Sequence, residues 1–232
     1  YTEPGIHPSE PSPQRTQLVF QAGASTRGVR FAAQHAGAIF IASPTSAVAR
    51  KSVDAIRAAL VDAGRSADAA KIYLLLTIIV DETDELAHAK HQDYLSYVSP
   101  EGALTFLSGW MGIDLSQYDL DEPLGNVQSN AIQSTVAAFQ ADTPDGRAWT
   151  IRDMVERNGI AGLGATVVGS AATVADELER IVAETGVDGF NLAYAVTPGT
   201  FEDVVEHVVP ELQRRGVYPT EYATGTLRHK LF

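Results

Sequence analysis

The sequence predicts an α/β fold, the C-terminal half of a TIM (β/α)8 barrel with a helical insertion. Three observations carry this: four short apolar runs closed by small or turn residues, helical patterns between them, and one long stretch, about 99–165, that breaks the alternation. Strands alternating with helices build a parallel sheet with right-handed crossovers. Four such units fill half of an eight-stranded barrel.

Each element follows from its residues. Prolines at 4, 8, 11 and 13 make residues 1–15 an extended lead-in, because proline has no N–H to give to a helix or a central strand. Gln17 to Ala22 is the first strand and stops at Gly23. Ser25 caps a helix whose Val29, Ala32, Ala33 and Ala36 fall at helical spacing. Ala38 to Ala42 is the second strand, followed by a helix carrying Val53, Ile56, Leu60 and Ala63 up to Gly64. Ile72 to Val80, rich in branched residues, is the third strand, and a helix from about Thr83 to Tyr97 comes next. The stretch 99–165 then reads as an insertion with its own helices near 127–139 and 148–158. Ser170 caps a helix with Val174, Leu178, Ile181 and Val182 on one face, ending at Gly186. Val187 to Ala195 is the fourth strand. Thr200 with Asp203 reads as the capping pair of the last helix, Pro210 as a kink in it, and 217–232 as an irregular tail.

A four-stranded piece of a barrel leaves strand edges and part of its inner face uncovered. About as much chain again is therefore expected before Tyr1, with residues 1–232 forming one domain and the N-terminal half lying outside this chain. An open dinucleotide-binding sheet is the competing architecture. Against it, no G-x-G-x-x-G turn follows a strand, and Gly162-Leu163-Gly164 precedes a helix with no strand ahead of it.

Composition narrows the function. Seventeen basic and 29 acidic residues leave a formal charge of −12, which repels nucleic acid and anionic membranes. The chain has no cysteine, so disulfides, thiolate metal sites and a cysteine nucleophile are excluded. No apolar run approaches the roughly 20 residues needed to span a bilayer, so a cytoplasmic location is the default.

The turn Gln21 to Gly28 is the strongest chemical signal. Small residues there let a ligand approach the backbone, and the free amides at a helix start attract an anion such as phosphate. Ser25 can cap the helix or give its hydroxyl to a phosphate oxygen; spacing leaves both open. Asn191 and Tyr194 sit at the C-terminal end of the last strand, where barrels carry their active sites, or else serve packing there. Phe106, Trp110 and Met111 read either as the lid of an apolar pocket or as the core of the insertion. His88 and His91 lie i, i+3 on a helix near Asp84, Glu85 and Asp93. They lack a metal-site motif and read as a solvated face, so no metal is expected.

A family resemblance runs along the chain. Glu10 through Thr16, Val19 through Gly23, Arg27-Gly28, Phe31 through Ala33, Gly112 through Ser116 and Tyr118 resemble one group of enzymes, and the far end does too. There Asp188 through Leu192, Pro198 through Phe201, Val208 through Gln213, Arg215-Gly216, Gly225-Thr226 and Lys230 through Phe232 carry the likeness. The group is the bacterial-luciferase-like FMN-dependent monooxygenase family, in the branch of the long-chain alkane, nitrilotriacetate and dimethyl-sulfide monooxygenases. The resemblance implies a barrel that takes reduced FMN from a separate flavin reductase and uses O2 to oxygenate a small organic substrate, working as a homo-oligomer. It makes Ala24 and Ser25 part of the FMN phosphate site, with Gln21 and Gly23 on the same rim. Phe106, Trp110, Asn191 and Tyr194 are the candidate substrate pocket. No catalytic residue is named, because the family's first half supplies most of them. The alkane branch has histidines in the segment matching Gly102 to Leu107, which this sequence lacks, so the substrate stays open. A deazaflavin (F420) hydride-transfer enzyme and a non-catalytic flavin-binding subunit are the alternatives.

Overall fold

The computed structural model describes residues 10, 17–22, 25–43, 45–123, 149–162 and 164–232. Its elements, in chain order, are β1 (Phe20–Ala22), α1 (Thr26–His35), β2 (Ala38–Ile41), α2 (Ser46–Asp62) and β3 (Lys71–Asp81). Next come α3 (Asp84–Ser96), α4 (Pro100–Met111), α5 (Ile151–Ala161), β4 (Ala165–Ser170), α6 (Ala171–Thr185) and β5 (Gly189–Ala193). The chain closes with α7 (Gly199–Asp203), a π-helical segment Val204–Val208, α8 (Val209–Arg214) and α9 (Leu227–Leu231).

The strands form one parallel sheet around β3. Tyr73 and Leu74 pair with both β2 and β5, and Leu76 and Thr77 pair with both β4 and β5. A strand has two edges, so β5 fills one edge of β3 while β2 and β4 follow each other along the other. Alternate residues then face opposite ways. Ile39, Ile41, Ile72, Leu74, Leu76, Ile78 and Val80 point to the helices and meet Val53, Ile56 and Leu60 of α2 and Leu178 and Ile181 of α6. Each such side chain, fully buried, contributes about 1.5–3 kcal/mol. The opposite face carries Phe20, Phe40, Tyr73, Leu75 and Asn191, none of them fully buried, and further along β3 Thr77 and Ile79, which are. The rings of Phe20, Phe40 and Tyr73 step across three strands at centroid distances of 5.4 and 6.0 Å. Burial raises the Tyr73 pKa, with Asp188 adding to the effect.

Several sequence expectations need correction. Among the described residues the sheet has five strands: Ala165–Ser170, between the insertion and the helix cap at Ser170, had not been read as a strand and pairs with six residues of β3. Gly162 and Gly164 therefore lead into a strand, contrary to the sequence reading. Gly169 lowers strand propensity and hid this element. A Cβ at that position would stand 2.7 Å from Thr173 Cγ2, so close packing requires the glycine. The first and last strands are shorter than read, at Phe20–Ala22 and Gly189–Ala193.

Helix α4 had not been expected. It is started by Ser99, whose hydroxyl accepts from the Gly102 amide, and stopped by Gly112 at φ 65°. Of the two helices read inside the insertion, the one near 148–158 corresponds to α5, with a Thr150–Asp153 capping box, and the one near 127–139 lies outside the described residues. Thr200 does not cap the last helix. Its buried hydroxyl accepts from the Ala195 and Val196 amides at 3.2 and 3.1 Å, which ties the loop after β5. Pro210 lies in the first turn of α8, where its missing N–H is tolerated, and follows a π-helical segment in which the Val209 amide donates to the Val204 carbonyl. The tail holds α9, capped by Thr226.

Candidate functional site

Parallel sheets present their strand exits on one side, and ligands bind there. At the exit of β1 the chain turns into α1 through Ser25, whose Oγ accepts from the Gly28 amide at 3.1 Å. The cap reading is thus realised. It does not use up the group, since a hydroxyl that accepts one bond still has its own proton to donate. Ser25 is exposed, and the first-turn amides and positive dipole end of α1 lie beside it. A helix start with free amides and a spare hydroxyl proton suits a small anion such as a phosphate. Gly23 and Ala24 lie outside the described residues. Gln21 shares its register row with Ile39, on the helix-covered side of β1, and its Nε2 donates to the Ala22 carbonyl at 2.8 Å. It is therefore not on the face that carries Phe20 and Asn191.

In the middle of β5, short of its exit, Asn191 pairs in register with Leu75 on the open face and is half-buried. Tyr194 follows the strand, 57% exposed, with its ring 5.8 Å from that of Phe201. Phe106, 50% exposed, lies on α4 and lines a cleft of about 640 Å³ between the insertion and the loop after β5. Tyr94, Tyr97, Val98, Asn158 and Val196 line the same cleft. Asn191 and Tyr194 are not among its walls, so the sequence-assigned pocket residues divide between two places. The side chain of Trp110 lies outside the described residues. Sequence reasoning missed Tyr94, Tyr97 and Asn158. The available signal for Asn158 was a polar residue set i+4 and i+3 from the core residues Met154 and Val155.

Charged groups near the exits act as fasteners. Lys90 of α3 reaches Asp81 at 2.8 Å, Asp203 at 3.1 Å and the Val80 carbonyl at 2.9 Å, joining α3, β3 and α7. The Lys90 hydrogen bond holds the Asp81 carboxyl below its ordinary range. Burial works against the Lys90 charge, but its two carboxylate partners outweigh burial and raise its pKa. Asp84 accepts from the Ser170 amide at 2.6 Å and the Thr173 hydroxyl at 3.1 Å, which lowers its pKa. Asp188, part of the family-like motif, sits at the opposite end of the sheet. There it takes the Ile72 amide and the Arg57 guanidinium, at 2.8 and 2.7 Å, as a structural anchor. Burial and the neighbouring His88 push the His91 pKa down. Among the described residues no group of three His, Asp or Glu could hold a metal, and no helix is long and apolar enough to cross a membrane.

Comparison with known proteins supplies what geometry cannot. A family model described as luciferase-like monooxygenase matches residues 4–189. The dimethyl-sulfide monooxygenase of Hyphomicrobium sulfonivorans is 48% identical over 100% of this chain and 48% of its own length. The long-chain alkane monooxygenase of Geobacillus thermodenitrificans (strain NG80-2) is 38% identical over 99% of this chain and 48% of its own length. A crystal structure of a riboflavin lyase with modified FMN and its substrate riboflavin superposes with a TM-score of 0.83 at 33% identity, covering 100% of this chain and 52% of that one. The chain thus spans about half the length of the curated relatives it matches. With the parallel α/β sheet and the helix-capped turn at Ser25 already in view, these matches show that the chain belongs to the luciferase-like monooxygenase family.

Proposed function

We propose that residues 1–232 form one domain, the C-terminal half of a (β/α)8 barrel, in a two-component monooxygenase that uses reduced FMN and O2 to oxygenate a small organic substrate. A separate flavin reductase delivers the reduced FMN. The observation that carries this reading is the turn at Ser25, a capped helix start at the exit of β1, on the rim where parallel barrels bind their ligands. Reduced FMN, when bound, supplies the redox chemistry. The chain's part is to bind, orient and exclude water. Ser25 gives its hydroxyl proton to the FMN phosphate, and the first-turn amides of α1 face the same anion. Asn191 and Tyr194 line the barrel mouth, and the cleft beside Phe106 holds the substrate away from solvent.

The half-barrel reading is supported by the open face. Among the described residues β1 pairs only with β2, and β5 only with β3, which leaves one edge of each for closure with further strands. The Phe20, Phe40 and Tyr73 rings on that face need a covering layer. Deazaflavin hydride transfer is not favoured, because the relatives above are named monooxygenases.

The test supplies the complete polypeptide with a flavin reductase and FMN. Oxygen uptake is then followed with dimethyl sulfide, a long-chain alkane, nitrilotriacetate and phenol. The expected result is uptake above the substrate-free rate, with an oxygenated product from at least one compound. FMN binding without substrate-dependent uptake would point to a non-catalytic subunit instead, and hydride transfer to a deazaflavin would contradict the oxygenase reading.

A further inference from the structure

The cleft between the insertion and the exit of β5 holds a polar group that has no task in the chemistry above. Asn158 sits on α5, is 6% exposed and lines this cleft. Its Nδ2 donates to the Met154 carbonyl at 2.6 Å, while its Oδ1 is buried with no hydrogen-bond partner among the described residues. A buried acceptor that has lost water and gained nothing is costly, and leucine at this position would carry no such cost. The neighbouring residue leaves room for the cleft. A Cβ at position 159 would stand 2.5 Å from Val98 Cγ1, so glycine there lets Val98 settle against α5 as part of the cleft wall. Tyr94, Tyr97 and Phe106 add aromatic walls. The amide torsion of asparagine is soft, so Oδ1 can turn toward the cleft when a donor arrives, with Nδ2 turning alongside and loosening its bond to the Met154 carbonyl.

We infer that Asn158 is the recognition residue of this cleft, its amide oxygen accepting a hydrogen bond from the O–H or N–H of a small, neutral, mainly aromatic or apolar molecule. An acceptor selects for a donor, and a carboxylate at neutral pH has no proton to offer it. The aromatic walls favour a ring on the molecule's other end. A donor-bearing ligand separates this chain from the sulfide and alkane substrates named for its relatives. The inference rests on the cleft serving as the substrate pocket of the proposed oxygenase, yet its test needs no turnover.

Phenol, toluene and benzoate are titrated into the complete polypeptide without flavin, with dissociation constants measured beside the NMR signal of the Asn158 side-chain amide. Phenol is expected to bind roughly three- to tenfold more tightly than toluene, the effect of one hydrogen bond, and benzoate more weakly than either. Phenol, but not toluene, should move the Asn158 amide signal. Asn158→Leu should bring phenol down to the level of toluene while leaving toluene within about twofold of its original value. A merely structural role would instead weaken both equally. If the variant does not fold, the wild-type protein still decides: equal binding of phenol and toluene, or benzoate binding as well as phenol, overturns the assignment. Oxygen uptake without a phenol preference removes Asn158 and keeps the oxygenase; a phenol preference without uptake does the reverse.

Discussion

The Ser25 hydroxyl accepts from the Gly28 amide at 3.1 Å and holds its own proton for a second partner, so one atom can start a helix and grip an anion. Ser25→Ala removes both. The expected stability loss is about 1 kcal/mol, the usual effect of a lost cap. The FMN dissociation constant should rise roughly tenfold, as expected for a lost hydrogen bond to a charged group. Fluorescence titration and a denaturant melt of the complete polypeptide read the two effects separately, and an unchanged flavin affinity would remove Ser25 from the phosphate site. The cap at Ser25 was legible in the sequence because small residues and a serine at a strand exit leave a local signature. Asn158 was not, since an asparagine within a helical pattern reads as surface until its neighbours Met154 and Val155 prove buried. Gln21 was placed on the rim by the family resemblance, and the register with Ile39 puts its side chain on the helix side of the sheet.

At the scale of elements, β4 depends on a junction of three pieces. Asp84 at the start of α3 accepts from the Ser170 amide, where β4 ends and α6 begins, and from the Thr173 hydroxyl of α6. These bonds depress the Asp84 pKa, so its contribution is present above the unfolded value near pH 4 and lost as pH falls through the lower folded value. Asp84→Asn should therefore lower the melting temperature at pH 7 and converge on the wild type in strong acid. A mutant deficit that stays constant from pH 7 to pH 2 would contradict the assignment. The helices α2 and α6 and the strands β2 and β3 were legible because their apolar residues recur at one period and the helices are bounded by Gly64, Ser170 and Gly186. Strand β4 was hidden because Thr166, Gly169 and Ser170 break its apolar run, and its pairing with β3 lies about 90 residues away in sequence. Helix α4 was missed for a similar reason: its residues are spent on a small core of Leu107, Leu115 and Met154 rather than on the main sheet.

Among the described residues the sheet is fully covered by helices on one face and only partly covered on the other. Helices cover the face built from Ile72, Leu76 and Ile78, while the Phe20–Phe40–Tyr73 row and Asn191 stay part-exposed. At the strand starts the chain closes itself: Arg228 of α9 donates to the Gln17 carbonyl at 3.4 Å, and the Lys71 ammonium lies 5.4 Å from the Phe232 ring centroid. One end of the sheet is thus secured by residues 227–232, and the half-barrel account expects other strands to cover the face that carries the Phe20–Phe40–Tyr73 row. The most direct measurement expresses residues 1–232 alone beside the complete polypeptide and compares their sedimentation, thermal melts and FMN binding. The half-barrel account expects the short chain to aggregate or to unfold without a sharp transition, with no FMN-dependent stabilisation, and the complete polypeptide to melt cooperatively and shift upward with FMN. A monomeric, sharply melting 1–232 that binds FMN by itself would contradict it.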